Sequence, residues 1–146
     1  MTVVLDTNVI YQALQSASGA SHYILRLVRE QKIRLAVSVP VFSEYEAVLK
    51  REESLKDFDL TKSDIDAFLR FIAYIAKPYT IFFLFRPNLR DENDNIFVEL
   101  SLTANADCLI TGNIKDFTKN RNLNFEDLKI LTPSEFVINW RKENED

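Results

Sequence analysis

The chain has 146 residues, 47% of them apolar and 27% charged, with a net charge of −4. That length buries one core and that balance excludes a disordered chain, so a single domain over 1–146 is expected. No apolar run nears the roughly 18 residues that cross a bilayer, and the excess of acids argues against a protein that grips nucleic acid by bulk charge.

In chain order, Val3-Val4-Leu5 reads as a short buried strand. The stretch Met1 to Asp6 has no basic residue and reaches a carboxylate too early for a secretory signal, so a cytoplasmic protein is expected. A helix follows from Asn8 to about Leu14, capped by Thr7 or Asn8. Tyr23, Ile24, Leu27 and Val28 recur at helical spacing within Ser21 to Gln31. Leu35 to Ser38 is a second strand, and Pro40 opens a helix through Lys50, proline being well placed in a first turn. Another helix runs from about Ser63 to Ala76. Tyr79 to Phe85 is rich in strand formers without alternation, which suits a buried strand, a dimer seam or, in its aromatics, a stacking surface for bases. Asp94 to about Asn105 is helical. Cys108 to Thr111 is a buried strand, with Cys108 as a small hydrophobe. Lys129-Ile130-Leu131 is the last strand, and Thr132-Pro133 starts a helix through Trp140.

Strands and helices thus alternate, and the strands are apolar on both faces. The pattern predicts an α/β protein with a central parallel sheet covered by helices on both sides. Ligands of such sheets bind beyond the carboxyl ends of the strands. Only Gly19 and Gly112 occur, which excludes glycine-rich phosphate loops. The one cysteine and one histidine, His22, exclude a Cys/His zinc cage and a Ser-His-Asp triad as the reading of choice.

Acids stand where a ligand would bind. Asp6 directly follows the first strand, where it caps a helix or binds something. Asp94 opens an apolar helix after a loop holding Asp91 and Glu92, crowded enough to suit a nearby cation or a solvated turn. Asp116 follows the strand ending at Thr111 by a short connection in which Gly112 permits a tight turn, with Thr111 and Asn113 facing the same sheet end. Glu44 and Glu46 point to different faces of one helix, and Glu44 is the better candidate for the inward one. Hard-oxygen donors of this kind suit Mg²⁺ or Mn²⁺, one ion or two, and such ions activate water against phosphorus.

The ordered set resembles the PIN-domain family over about residues 2 to 138. Val-Val-Leu-Asp-Thr-Asn-Val at 3–9 is similar to its first motif, Ser43-Glu44 to its second acidic position, and Arg90-Asp91-Glu92-Asn93-Asp94-Asn95 to its third. Leu109-Ile110-Thr111-Gly112-Asn113-Ile114-Lys115-Asp116-Phe117 is similar to the closing motif, although many PIN domains carry aspartate where this chain has Asn113. The resemblance implies a doubly wound sheet and a metal-dependent endoribonuclease. Asp6, Asp94 and Asp116, with Asp91 and Asn113 beside them, would be metal ligands, and Glu44 a ligand or water-orienting base. Thr7, Asn8, Ser43 and Thr111 would support them. Within the family the chain looks most like toxins of the VapC type, which implies an antitoxin partner and a homodimer.

A PIN-like module that binds RNA or protein with little catalysis is the alternative, and Asn113 is the feature in its favour. A phosphatase working through an aspartyl phosphate needs Asp-x-Asp, and Asp6-Thr7-Asn8 lacks the second acid. The same metal chemistry serves DNA as well as RNA. Arg86, Arg90 and Lys115 would meet phosphates or are ordinary surface charge.

Overall fold

A computed structural model of the chain describes residues 1–81, 92–118 and 128–144, without the side chains of Glu92, Asn93, Asp94, Asp116 and Thr118. Among these residues five strands, β1 (Thr2–Leu5), β2 (Arg34–Val37), β3 (Lys77–Pro78), β4 (Cys108–Ile110) and β5 (Lys129–Leu131), form one sheet in the order β3-β2-β1-β4-β5. Each of their pairings is parallel, with Val3 opposite Leu35 on one side and Val3, Val4 and Leu5 opposite Cys108, Leu109 and Ile110 on the other.

Successive strand residues point to opposite faces, and Val3, Val4 and Leu5 are all buried, as are Cys108, Leu109 and Ile110. Both faces of the central strands are therefore covered, as the unbroken apolar triplets require. The cover comes from α1 (Thr7–Gln15), α2 (Ala20–Arg29), α3 (Val39–Leu49), α4 (Glu52–Phe58), α5 (Lys62–Ile75), α6 (Glu92–Thr103), α7 (Ile114–Thr118) and α8 (Pro133–Asn144). Strand addition runs from β1 outward to β2 and β3, then reverses to β4 and β5. Since parallel crossovers are right-handed, that reversal sends α1 and α2 to one face and α6 to the other. In accord with this, α2 packs on α8 while α6 packs on β1, β2 and β4.

Local chemistry sets the helix starts. Ser38 caps α3, its Oγ accepting from the Val41 N–H at 3.3 Å, with Pro40 in the first turn. Thr61 and Asp64 cap each other reciprocally at the start of α5, and Thr132 and Glu135 do the same for α8.

The expected elements recur with small shifts, and three differ in kind. The strand expected at Tyr79 to Phe85 pairs two residues earlier, at Lys77–Pro78 against Ala36–Val37, and Tyr79 continues the ladder only through its N–H to the Val37 carbonyl at 2.8 Å. Proline has no N–H to give, so it suits this edge strand; Phe82 to Phe85 lie outside the described residues. Helix α4 is not foreseeable from the sequence, because its segment buries only Ser54 and Phe58 and shows no apolar stripe. The one-turn α7 stands where a plain connection is expected.

Candidate active site

In the strand order, β1 and β4 are neighbours on either side of the reversal, which is the crevice where sheets of this kind bind ligands. Asp6 and Thr111 are the first residues past these two strands, and backbone pairing continues between them, the Asp6 N–H donating to the Ile110 carbonyl at 2.9 Å. Thr111 is fully buried, and its hydroxyl donates to Asp6 Oδ2 at 2.7 Å. The same Thr111 Oγ1 accepts from the Asn113 N–H at 3.0 Å. Asn8 forms a second clasp: its side-chain amide donates to Asp6 Oδ2 at 3.1 Å, and its Oδ1 accepts from the Gly112 N–H at 3.1 Å. Two residues after β1, Asp6 and Asn8, and three after β4, Thr111 to Asn113, thus lock into one network around a single carboxylate.

Asp6 occupies the cap position of α1 yet makes no capping hydrogen bond with its side chain. The N–H groups of Thr7 and Asn8 at the start of α1 still favour its charge, yet the carboxylate is only 8% exposed and its bonds of full hydrogen-bond geometry come from Thr111 and Asn8 side chains. Burial, above all, raises its proton affinity; the Thr111 hydroxyl and the N–H groups of Thr7 and Asn8 pull the other way, and the charge of Glu44 adds to the rise. Glu44 is half-buried on α3 and accepts from the Thr7 hydroxyl at 3.4 Å. Its rival Glu46 faces solvent and pairs with Lys50 at 3.3 Å, so the inward acid is Glu44. Between them Tyr45 is wholly buried, and its hydroxyl donates to the Leu5 carbonyl at 2.5 Å, which ties α3 to the end of β1. Burial, then the charges of Asp6 and Glu44, push the Tyr45 phenol well above its ordinary value, so it stays a donor.

The two carboxylates lie close enough to repel, and no lysine or arginine pairs with either among the described residues. That arrangement is costly unless a cation joins it. The donors are hard oxygens, as Mg²⁺ and Mn²⁺ require. A further acceptor is stranded nearby in sequence: Asn95 Oδ1, buried and without a hydrogen-bond donor among the described residues, sits one position after Asp94. The residues present fit a divalent ion, although no three acidic or imidazole groups converge among the described residues.

Of the other expected site residues, Asp94 lies in the first turn of α6 and Asp116 in α7, with side chains outside the described part. Asp91, Arg86 and Arg90 fall outside the described residues. Asn113, Ser43 and Lys115 are not buried, while Thr7 is. The chain bends at Gly112 as expected, but the residue has no positive φ and an added Cβ would meet nothing nearer than Asn8 Oδ1 at 3.5 Å, so the bend does not require glycine. Sequence reasoning misses Tyr45, Asn95 and Glu99. Asn95 and Glu99 are one helical turn apart and buried at 4% and 3%, and the available signal is a carboxylate inside the apolar run Ile96 to Leu100. The 490 Å³ hollow lined by Met1, Lys32, Arg34 and Tyr74 lies at the amino end of the sheet, away from these acids.

A family model described as the PIN domain matches residues 2–115. An uncharacterised protein, MJ1680 of Methanocaldococcus jannaschii, is 30% identical over 148 aligned positions that cover 96% of this chain and 92% of that one. Among solved structures, VapBC2 from Rickettsia felis, bound to a DNA fragment from its promoter, has a chain that is 22% identical with a TM-score of 0.58, covering 89% of this chain and 98% of its own. VapBC-1 from nontypeable Haemophilus influenzae gives 16% identity and a TM-score of 0.56, covering 92% and 99%. The two structures share the fold. With the acids at the switch point and the family match over most of its length, the chain belongs to the PIN-domain family.

Proposed function

We propose that the protein is a Mg²⁺- or Mn²⁺-dependent endoribonuclease and the toxin of a toxin–antitoxin pair. The observation that carries the reading is Asp6: a buried carboxylate clasped by Thr111 and Asn8 and set against a second acid at the switch point of the sheet.

Asp6, Glu44, Asp94 and Asp116 would hold one or two ions, with Asp91 and Asn113 as further ligands. A bound divalent ion supplies a nucleophilic water near neutral pH and stabilises charge on the departing oxygen. The chain's own residues do the rest. Thr111 and Asn8 fix the Asp6 carboxylate in one orientation, since both donate to Oδ2. Thr7 orients Glu44, which would take a proton from the attacking water. Tyr45 holds α3 and β1 at fixed separation, so the two acids keep their spacing. Ser43, one position before Glu44 and open to solvent, would meet substrate. A cytoplasmic location, a homodimer and an antitoxin that covers the acids go with this reading; the two solved relatives are VapBC proteins, one of them with promoter DNA.

The test is cleavage of a mixed RNA panel by wild type and Asp94→Asn with Mn²⁺, Mg²⁺ or EDTA. Cutting that needs metal and is lost in the folded variant is expected. Metal-independent cutting, or a variant as active as wild type, would overturn the reading.

A further inference from the structure

Beside the acidic site runs a trough that the acids do not explain. Gln12 starts it: its Nε2 lies 3.7 Å from where a Cβ on Gly112 would stand, and its Oε1 accepts from Ser21 Oγ at 3.1 Å. A hollow of about 300 Å³ opens there, lined by Gln12, Ser16 and Ser21. It shares Gly19, Ala20 and Ser134 with a second hollow of about 530 Å³ between α2 and α8, so the two adjoin. At the far end Tyr23 lines the wall with two arginines from different helices. The Arg26 Cζ stands 5.9 Å from the ring centroid and the Arg141 Cζ 4.9 Å.

The chain carries 22 acids against 18 lysines and arginines, yet among the described residues no aspartate or glutamate lines either hollow. Two guanidiniums gathered over one aromatic ring present what single-stranded nucleic acid uses, cations for its phosphates, with the Tyr23 ring holding the pair together. The hydroxyls and small residues between that patch and Gln12 leave the path open to a backbone.

We infer that single-stranded RNA lies along this trough, cut at the acidic end and anchored by Arg26, Arg141 and Tyr23 at the other. The direction rests on the nuclease reading; the binding does not.

The experiment is fluorescence anisotropy of a labelled twelve-nucleotide single-stranded RNA in EDTA across a salt series. It compares wild type, Arg26→Gln, Arg141→Gln, the double variant, Tyr23→Leu and, as a control at the amino end of the sheet, Lys32→Gln; circular dichroism checks folding. The double variant should bind on the order of tenfold more weakly, with the log–log salt slope shallower by roughly 0.7 for each phosphate that is no longer neutralised. Tyr23→Leu should weaken binding with the slope unchanged, and Lys32→Gln should bind as wild type. With metal present, the arginine variants should raise KM on long RNA and leave kcat alone. Arginine variants that bind as wild type, equal weakening by Lys32→Gln, or a wild type that binds no RNA would overturn the inference. So would a change in oligomeric mass of the double variant with RNA binding intact, which would assign the patch to a protein interface. Wild type that binds through the arginines but cuts nothing would refute the nuclease reading and spare the trough. Cutting that ignores the arginines would do the reverse.

Discussion

Thr111 Oγ1 donates to Asp6 Oδ2 at 2.7 Å across 105 positions of sequence, and the same hydroxyl accepts the N–H of Asn113. One side chain thus couples the orientation of the buried acid to the course of the chain leaving β4. Thr111→Val keeps the volume and removes both bonds. A destabilisation of about 1–3 kcal/mol in urea unfolding is expected, because Asp6 and the Asn113 N–H are each left short of a partner. Cleavage should fall more steeply than RNA binding, since the substitution disturbs orientation and leaves the binding surface in place.

Asp6→Asn should stabilise the protein when metal is absent. The folded-state pKa of Asp6 is raised, so the folded protein holds its proton where the unfolded chain has released it. Stability from this group therefore falls as pH rises from the ordinary carboxylate value through the raised one. Thermal unfolding in EDTA at pH 7 should give a higher Tm for the variant, with the gap closing toward acid pH. Mn²⁺ should then raise the Tm of wild type and leave Asp6→Asn nearly where it was. A variant less stable than wild type in EDTA would contradict this.

Tyr45→Phe removes the hydroxyl that joins α3 to the Leu5 carbonyl in a fully buried setting. A cost of about 1–2 kcal/mol is expected from the orphaned carbonyl. Because α3 carries Glu44, kcat should drop while RNA binding in EDTA is retained. Chemical denaturation and steady-state kinetics on one preparation check both.

Gly112→Ala should be tolerated. The glycine has no positive φ and its surroundings offer ordinary van der Waals distances, so the added methyl meets no clash and restricts the unfolded chain. A stability change within about 1 kcal/mol, neutral or favourable, is expected from urea unfolding.

Cys108 should resist alkylation. It is buried beside β1, and burial first, with the charge of Asp107 adding and that of Lys129 opposing, pushes its thiol up to about 12. Iodoacetamide at mildly alkaline pH should leave the native protein unmodified and label it only in denaturant. Rapid labelling of the folded chain would contradict the packing of β4.

Much of the fold is legible because of where polar residues interrupt apolar ones. Asp6 and Thr111 stand immediately after triplets that could only be buried strands, so the sheet itself points them at one crevice. Glu44 is separable from Glu46 by helical angle alone, and the structure agrees, with Glu46 on Lys50. Tyr45 is not legible, since an aromatic between two glutamates reads as surface until α3 is laid on β1. Asn95 is hidden for the opposite reason: near the start of a helix after an acidic loop it reads as solvated, and only tertiary packing buries it. The edge strand is misplaced by sequence because aromatic content near Tyr79 outweighs Pro78, whose missing N–H is harmless at an edge.

The most direct test of the central claim is the rate at which folded Asp6→Asn cuts an RNA that wild type cuts with Mn²⁺. A drop of at least about a thousandfold, with the fold intact by circular dichroism and RNA binding in EDTA unchanged, is the expected result; roughly 4 kcal/mol of barrier would then trace to one carboxylate. Cleavage by Asp6→Asn at the wild-type rate would contradict the claim that this acid is the centre of the site.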